Sequence, residues 1–570
     1  MRRSLLVPKF AGARPRISQI AALLGITAAL ALADTTGERA VDRLIDNVIS
    51  QEQSLVDELK KKSPIVETYI QESAGEASPE RMHQDHYFLG RLQFSASAME
   101  YVSIADRSGQ QKPSRLWRFG GGPVMYQPSG FAQMIFIDLN DFDRSIYGFE
   151  YVRREFLGEV RTLVFDIAPL QKTSGGRFVG RIWVEDKTFA IVRFNGTYTK
   201  SKSSQVYYHF DSWRTHLGDR WMPAFVYVEE SADQKKASSG ASFKAQTRVW
   251  GYTSGKPARL DELTSILVEM EKPGGDKEIA TDVSPLESQR SWERQAEENI
   301  TDRLEKSGLL APKGSVDQVL NTVINNLIAT NSLSVDAQCR VLLSTPLETF
   351  TVGRTIVISR GLIDVLPDEA SLAMVLAAEL AHVALGHRTN TQFAFHNQTM
   401  FSDEQLLERF RFARSETDTT AAGNKAVELL MNSPYKEKMS NAGLFLKALV
   451  SRAPHFPNLI HANLGNQLAK GETLVRLGDL ASNAPMLEDD KLEQIAALPL
   501  GSRVRLDPWT STIALVKTKP ISLLSAREKM AFEITPFAPH LTRLKGETAP
   551  ESENRTADSA ASTGVPGAGQ

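Results

Sequence analysis

The chain has 570 residues, of which 42% are hydrophobic and 24% are charged, and its formal net charge is -2 at pH 7. This composition is typical of a globular chain of several domains; it excludes a mostly disordered or fibrous protein and argues against a dedicated nucleic-acid binder. The single cysteine, Cys339, excludes a disulfide framework and an all-cysteine zinc site within one chain.

The N-terminal residues have the pattern of an export signal. Five basic residues between positions 2 and 16 precede an apolar stretch over 20–33, which is too short for an ordinary membrane span and ends in Ala31-Leu32-Ala33. We therefore expect a signal peptide over residues 1–33 and an exported protein, periplasmic or secreted; an uncleaved N-terminal anchor is the alternative. The residue directly after the apolar stretch is Asp34 and not a cysteine, so the pattern does not predict a lipoprotein.

Apolar residues at helical spacing predict an amphipathic helix in segment 34–62, with the role of a packing lid. From residue 63 to 255 the apolar period changes to two, which predicts a β-rich domain with a tight hairpin turn at Glu185-Asp186-Lys187. The predicted strands are Ile65–Ile70, Tyr87–Phe94, Met134–Asp138, Leu163–Ile167, Phe178–Val184, Phe189–Phe194, Val206–Trp213, Phe225–Glu229 and Phe243–Tyr252.

Part of this β-rich segment resembles the half-barrel of periplasmic lipoprotein carriers. The resemblance lies in Phe178–Arg193, with its Trp-Val-Glu hairpin, in His209–Trp213 and in Trp221–Ala224. It implies an open barrel whose apolar concave face binds a lipid or acyl chain. The alternative interpretation of the many aromatic residues is that they form the core of a sheet.

The remaining chain divides into four segments. Residues 256–312 are charged and interrupted by proline and glycine, which predicts a linker with a polar helix over Ser288–Leu304. Residues 313–475 predict a mostly helical domain with a small sheet, so the expected fold class is multidomain α+β. Residues 476–545 predict a small appendage with strands at Val504–Leu506 and Ile513–Lys517 and a helix at Leu523–Phe532, and the polar residues 546–570 predict a disordered tail.

An incomplete metal-binding pattern lies in the apolar helix expected between residues 367 and 387, at Ala378-Glu379-Leu380-Ala381-His382. In the complete pattern, His-Glu-x-x-His, two imidazoles one helical turn apart bind a metal and the glutamate activates the metal-bound water. Here Glu379 and His382 are present, but Ala378 replaces the first histidine, and a methyl group cannot bind a metal.

The surrounding sequence resembles the zinc metallopeptidases of the HtpX and BepA type. The matching segments are Arg354–Ile363, Asp368–Ala377 and Glu379–His387. The resemblance implies zinc as the cofactor, Glu379 as the general base and a third zinc ligand on a later helix, a glutamate four residues before an aspartate. Asp418 matches that aspartate and would support the ligands, so the ligand position falls on Arg414; Glu416 remains a candidate ligand only if the register shifts.

Two of the three family ligand positions, Ala378 and Arg414, have therefore changed, whereas a catalytic zinc site usually has three protein ligands and a water. We hypothesise that Arg414 forms an ion pair with Glu379 where the family binds zinc; the alternative for Glu379 is a buried polar residue with another partner. The structural alternative for His382 is a hydrogen-bonded core histidine. His387 lies five residues further on, roughly 140° around a helix, so we expect that it cannot share a metal with His382.

The leading interpretation is an exported two-module protein whose metallopeptidase-like domain has lost its zinc and acts in protein binding or envelope quality control. Its expected partners are a polypeptide or envelope protein and, in the β-rich domain, an acyl chain; no nucleic acid is expected. An extended peptide can add to the edge strand predicted at residues 348–350. The alternative is an active zinc endopeptidase with an unusual ligand set, such as His382, Glu416 and a distant histidine, and with Glu379 as the base.

Overall fold

The computed structural model describes residues 41–73, 85–95, 98–107, 126–170, 175–199, 208–217, 220–230, 242–252, 285–391, 394, 409–462, 464–470, 473–487, 504–507 and 511–515. The expected signal peptide at 1–33, the helix at Leu523–Phe532 and the tail at 546–570 lie outside these residues. In the described part of the chain, no helix combines the length and the apolar character needed to cross a membrane.

The first domain is a ten-stranded antiparallel sheet that remains open, because its first and last strands in space, β3 and β4, do not pair. The order across the sheet is β3-β2-β1-β10-β9-β8-β7-β6-β5-β4. The strands are β1 (Ile65–Ser73), β2 (Asp85–Phe94), β3 (Met99–Arg107), β4 (Tyr147–Leu157), β5 (Val160–Pro169), β6 (Phe178–Glu185), β7 (Ile191–Tyr198), β8 (Phe210–Leu217), β9 (Arg220–Glu230) and β10 (Ser242–Trp250). This sheet confirms the predicted β-rich, half-barrel-like domain.

Three of the local predictions in this domain were wrong. Met134–Asp138 is not a strand: it follows the short helix α2 (Pro128–Gln133), and the Tyr198 hydroxyl donates to the carbonyl oxygens of Gln133 and Phe136. The apolar residues of Met134–Asp138 are buried, but their backbone does not pair with a strand of the sheet. The sequence analysis also missed β3 and β4, which are the edges of the sheet, where charged residues obscure the alternation.

The inner face of the sheet is covered by helix α1, which is helical over residues 41–59. Its apolar stripe packs among the inward-facing aromatic residues of the sheet, and burial of one such side chain stabilises by about 1.5–3 kcal/mol. The buried members of the stripe are Ile45, Val48, Ile49, Val56 and Leu59. A fully buried ion pair fastens α1 to β8, with both Arg214 Nη atoms 2.6 Å from the Glu52 carboxylate oxygens.

The second domain is mostly helical with a small mixed sheet, as predicted. The sheet has the order β11-β13-β12, with β11 (Gln338–Leu342), β12 (Thr349–Val352) and β13 (Thr355–Ser359). The helices are α3 (Pro285–Lys306), α4 (Ser315–Thr330), α5 (Arg360–Val365), α6 (Glu369–Ala384), α7 (Glu416–Met431), α8 (Met439–Arg452), α9 (Pro457–Ile460) and α10 (Gly478–Ser482). Two short hairpins complete it, β14 (Ala469–Lys470) with β15 (Thr473–Leu474) and β16 (Val504–Leu506) with β17 (Ile513–Leu515).

The outer face of the β-sheet domain packs directly on the helical domain, and one apolar core contains residues of both. Glu67 on β1 accepts hydrogen bonds from the backbone N and the Oγ1 of Thr345, at 2.6 and 2.7 Å. Asp85 on β2 accepts from the backbone N of Asn458 and of Leu459, at 3.0 and 2.9 Å. The carboxylates of Glu67 and Asp85 therefore hold the segments of the second domain that contain Thr345 and Asn458–Leu459.

The predicted linker is also part of this assembly. Helix α3 occupies residues predicted as a polar helix, but it buries Ala296, Ile300 and Leu304 against the second domain. At its end the backbone carbonyls of Ser307 and Gly308 accept hydrogen bonds from side chains of the β-sheet domain. The described part of segment 256–312 is therefore packed structure rather than a spacer.

Candidate functional site

Helix α6 carries the two residues of the incomplete motif into the core. The helix begins at Asp368, whose side chain accepts a hydrogen bond from the backbone N of Ser371 at 2.8 Å, the usual N-cap interaction. Nearly every residue from Ala370 to His382 is buried, which explains the continuous apolar pattern of the sequence. Glu379 is 0% exposed and His382 is 1% exposed, so both functional groups lie in the protein interior.

The carboxylate of Glu379 has four polar contacts from three residues. Arg476 Nη1 donates to Oε1 at 2.5 Å, Thr349 Oγ1 donates to it at 2.7 Å, and Asn466 Nδ2 contacts both oxygens at 3.2 and 3.4 Å. Arg476 Nη2 also donates to Thr349 Oγ1 at 2.5 Å. Burial alone would raise the pKa of Glu379, but the charge of Arg476 and these donors bring the pKa below its usual value. Glu379 is therefore a paired carboxylate.

Arg476 was missed because the sequence analysis placed it at the first residue of the expected appendage, 476–545. It follows β15 and is itself buried, at 4% exposure. Helix α10, just after it, packs against α8, where Gly443 leaves no room for a side chain beneath Leu480. The segment around residues 476–484 is thus part of the site domain, and the domain boundary at 475 divides the site. No local pattern identifies an arginine 97 residues after its partner.

Arg414 does not form the ion pair that we expected with Glu379. It lies before the first residue of α7, and its guanidinium donates to the carbonyl oxygen of Arg388 and to Thr351 Oγ1, the latter at 2.7 Å. Burial lowers the pKa of Arg414 below its usual value, and the negative charges of Glu379, Asp418 and Glu297 offset only part of this decrease. Arg414 therefore adds positive charge near the site, but Arg476 is the counter-ion of Glu379.

His382 contacts His387, although a helix that continued through both residues would hold their side chains roughly 140° apart. Helix α6 ends at Ala384 and Gly386 has a φ of 68°, so the chain reverses and His387 N donates to the carbonyl oxygen of His382 at 3.0 Å. The two Nδ1 atoms are 2.8 Å apart, which requires one ring to donate and the other to accept. Burial, chiefly, lowers the pKa of His382 from 6.5 to about 4.

The remaining predicted residues lie towards solvent. Glu416 is exposed in the first turn of α7, beside the N-cap Ser415, so it does not join His382 in the core. Asp418 Oδ1 lies 3.7 Å from His387 Nε2 and extends the histidine pair to the surface. In the described ranges of the chain, no group of three or more His, Cys, Asp or Glu side chains is arranged to hold a metal ion.

The residues at the site do not fit a zinc ion of the family type. Ala378 presents a methyl group where the first imidazole would be, and it is buried in the apolar core. The space beside Glu379 contains the guanidinium of Arg476, a cation that repels a divalent metal. The guanidinium also occupies lone pairs of the Glu379 carboxylate that would otherwise be free to bind a metal. The donor set therefore favours an internal ion pair over a metal.

The edge strand β12, which the sequence analysis considered as a peptide-binding edge, is covered by the chain itself. Its four residues are at most 1% exposed. Asn466 N donates to the carbonyl oxygen of Thr349 at 2.7 Å, and Glu348 accepts from the backbone N of Leu464 at 2.7 Å. Helix α3 lies against the turn that follows β12, where the Glu297 carboxylate fills the space that a side chain at Gly353 would need.

Comparison with known proteins gives one family match. Residues 315–453 match the model of Peptidase family M48, and these residues contain α4, the small sheet, α6, α7 and α8. None of the curated proteins searched matches the chain.

Two solved structures are similar to part of the chain at low scores. A LolA superfamily protein from Nitrosomonas europaea has 11% identity and a TM-score of 0.18, and the alignment covers 35% of this chain and 92% of that one. A DUF1329 family protein from Desulfovibrio piger has 13% identity and a TM-score of 0.20, with 36% and 90% covered.

Glu379 and His382 thus lie on a helix within the matched region, whereas Arg476 and Asn466 reach the site from the chain that follows it. The chain therefore carries a Peptidase family M48 domain at residues 315–453, preceded by an open β-sheet domain.

Proposed function

We propose that this protein is an exported two-module binding protein whose peptidase-like domain holds a polypeptide partner without zinc and without cleaving it. The observation that carries the proposal is the buried ion pair between Glu379 and Arg476. We also propose a role in envelope quality control. This role depends on export of the protein, which the expected signal peptide at 1–33 supports.

The chemistry of peptide hydrolysis supports this proposal. In metal-dependent hydrolysis the glutamate must accept a proton from a water that the metal activates. Glu379 instead has a lowered pKa and its oxygens face three donor side chains, so it is a weak base with little access to water. His382 is neutral at physiological pH and is already engaged with His387.

The β-sheet domain contributes a large apolar inner face, for which we propose a hydrophobic ligand such as an acyl chain. That face is packed with aromatic side chains, among them Phe178, Phe194 and Phe210 in edge or tilted contact. Helix α1 covers the same face. Because protein interiors are close-packed, an acyl chain would enter only if α1 moved, which requires breaking the Glu52–Arg214 pair.

The first test is the zinc content of the purified protein, produced without a histidine tag. We expect a stoichiometry near zero that added zinc does not raise, together with no chelator-sensitive cleavage of an unfolded protein substrate. A stoichiometry near one, with cleavage that chelator abolishes, would instead establish an active peptidase with Glu379 as its base.

A further inference from the structure

Three arginines surround the covered end of β12, and together they form what we call the basic rim: Arg354, Arg388 and Arg414. Arg354 is exposed in the turn between β12 and β13, Arg388 lies after the end of α6 with a side chain 78% exposed, and Arg414 precedes α7. They come from three separate segments of the second domain. The fold therefore concentrates positive charge beside the edge strand.

Helix α3 presents acidic residues to this rim, one helical turn apart. Glu293 Oε1 lies 3.7 Å from Arg388 Nη1. The carboxylate of Glu297 lies against the backbone of Gly353. Burial raises the pKa of Glu297 above its usual value. The negative charges of Glu293 and Glu298 raise this pKa further, whereas the positive charges of Arg354 and Arg414 lower it. The i, i+4 spacing places both carboxylates on the same face of the helix.

The two halves of α3 are held with different strength. The C-terminal half buries Ile300 and Leu304 completely, and Glu305 pairs with the buried Arg340 at 2.7 Å. In the N-terminal half, residues 289–297, Ala296 is buried, Glu293 and Glu297 face the rim, and Trp292 is 52% exposed. The Glu293–Arg388 pair is exposed and such a pair contributes about 0–1 kcal/mol, so we expect this half to detach at lower cost than the C-terminal half.

We propose that the basic rim is a docking surface for an acidic polypeptide segment of a partner, and that residues 289–297 of α3 are the internal segment which that partner displaces. This inference rests on the proposed function, in which the domain holds a polypeptide, and it names the chemistry of that partner. The charges are complementary: the rim presents the exposed guanidiniums of Arg354 and Arg388 beside the half-buried Arg414, and the chain's own segment opposes them with carboxylates at i and i+4. Displacement also uncovers the turn at Gly353, next to β12.

The test uses the full chain and a fluorescein-labelled peptide with the sequence of residues 285–300, whose binding is followed by fluorescence anisotropy. The matched control peptide carries Glu293→Lys and Glu297→Lys. A second protein, with Glu293→Gln and Glu297→Gln in its own α3, has a weakened internal competitor. We expect the acidic peptide to bind this variant at least ten-fold more tightly than the unchanged protein, and at least ten-fold more tightly than the control peptide binds it.

Adding Arg354→Gln and Arg388→Gln to the protein with Glu293→Gln and Glu297→Gln should abolish binding of the acidic peptide. The melting temperature of this protein is measured to show that it is still folded. Equal affinity for the two peptides, or no gain from weakening α3, would overturn the proposal. Zinc is measured in the same samples and binding is repeated with chelator. Bound zinc would refute the metal-free function alone, whereas loss of the peptide preference in zinc-free samples would refute the docking surface alone.

Discussion

Arg476 Nη1 and Glu379 Oε1 form a 2.5 Å ion pair in which both side chains are at most 1% exposed to solvent. The pair joins helix α6 to the chain that follows β15, and it lies where the family motif directs a catalytic glutamate towards a metal. A guanidinium stabilises a buried carboxylate through charge and hydrogen bonds, as a metal would, but it supplies no activated water. Arg476 therefore gives the buried carboxylate of Glu379 a counter-charge within the protein.

Removal of the arginine tests this pairing most directly. Arg476→Met leaves Glu379 charged and buried, so we expect a loss of about 3–5 kcal/mol in the free energy of unfolding of this domain. Adding Glu379→Gln removes the isolated charge and should restore a large part of that loss, measured by urea denaturation in a double-mutant cycle. Arg414→Met is the matched control and should cost about 1 kcal/mol with little coupling to Glu379. Equal coupling of both arginines would contradict the assignment.

Restoration of the family ligands should create a metal site only when the ion pair is opened. We expect a protein with Ala378→His and Arg414→Glu to bind little zinc, since the guanidinium of Arg476 still occupies the space beside Glu379 and repels a divalent cation. Addition of Arg476→Ala should raise the zinc content towards one per chain and raise the melting temperature when zinc is added, because metal binding stabilises the folded state. The control carries Arg414→Glu and Arg476→Ala but retains Ala378. Zinc binding by this control would show that position 378 is not a ligand position.

The stability of the protein should depend on pH through His382. Its pKa falls from 6.5 to about 4 on folding, so between these values the unfolded chain binds a proton that the folded chain does not. Stability is therefore lost as the pH decreases through this window, by about 3 kcal/mol in total. His382→Asn should flatten this part of the stability profile, whereas the exposed His209→Asn should leave it unchanged. Parallel profiles for all three proteins would refute the buried neutral state of His382.

The contact between the domains should depend on Asp85. Asp85→Ala removes the acceptor of the Asn458 and Leu459 backbone N–H groups and of the Tyr69 hydroxyl. Buried donors left without a partner cost about 1–3 kcal/mol each, so we expect faster hydrogen exchange at residues 457–460 and lower stability. Asp211→Ala, which removes the Arg193 pair on the outer face of the sheet, serves as the control and should leave that exchange unchanged. Unchanged exchange at 457–460 in Asp85→Ala would exclude this anchoring role.

The apolar pattern of the sequence predicted much of the secondary structure, with the exceptions of Met134–Asp138, β3 and β4. Alternating apolar residues predicted most strands of the large sheet, and the continuous apolar run of α6 marked the buried helix that carries Glu379 and His382. Both follow from periodicity, which depends on neighbours a few residues apart. The incomplete motif likewise showed, without coordinates, that Ala378 cannot be a ligand.

Which side chains come into contact depends on the tertiary structure. β1 pairs with β10, where Ile65 lies opposite Trp250, and Glu379 pairs with Arg476, 97 residues further along the chain. The contact between His382 and His387 required knowing that α6 ends before a left-handed glycine. Gly386 is a local signal for the end of a helix, but it does not specify which side chains meet after the turn. A buried charge needs a counter-charge, and the position of that counter-charge along the chain leaves no local pattern in the sequence.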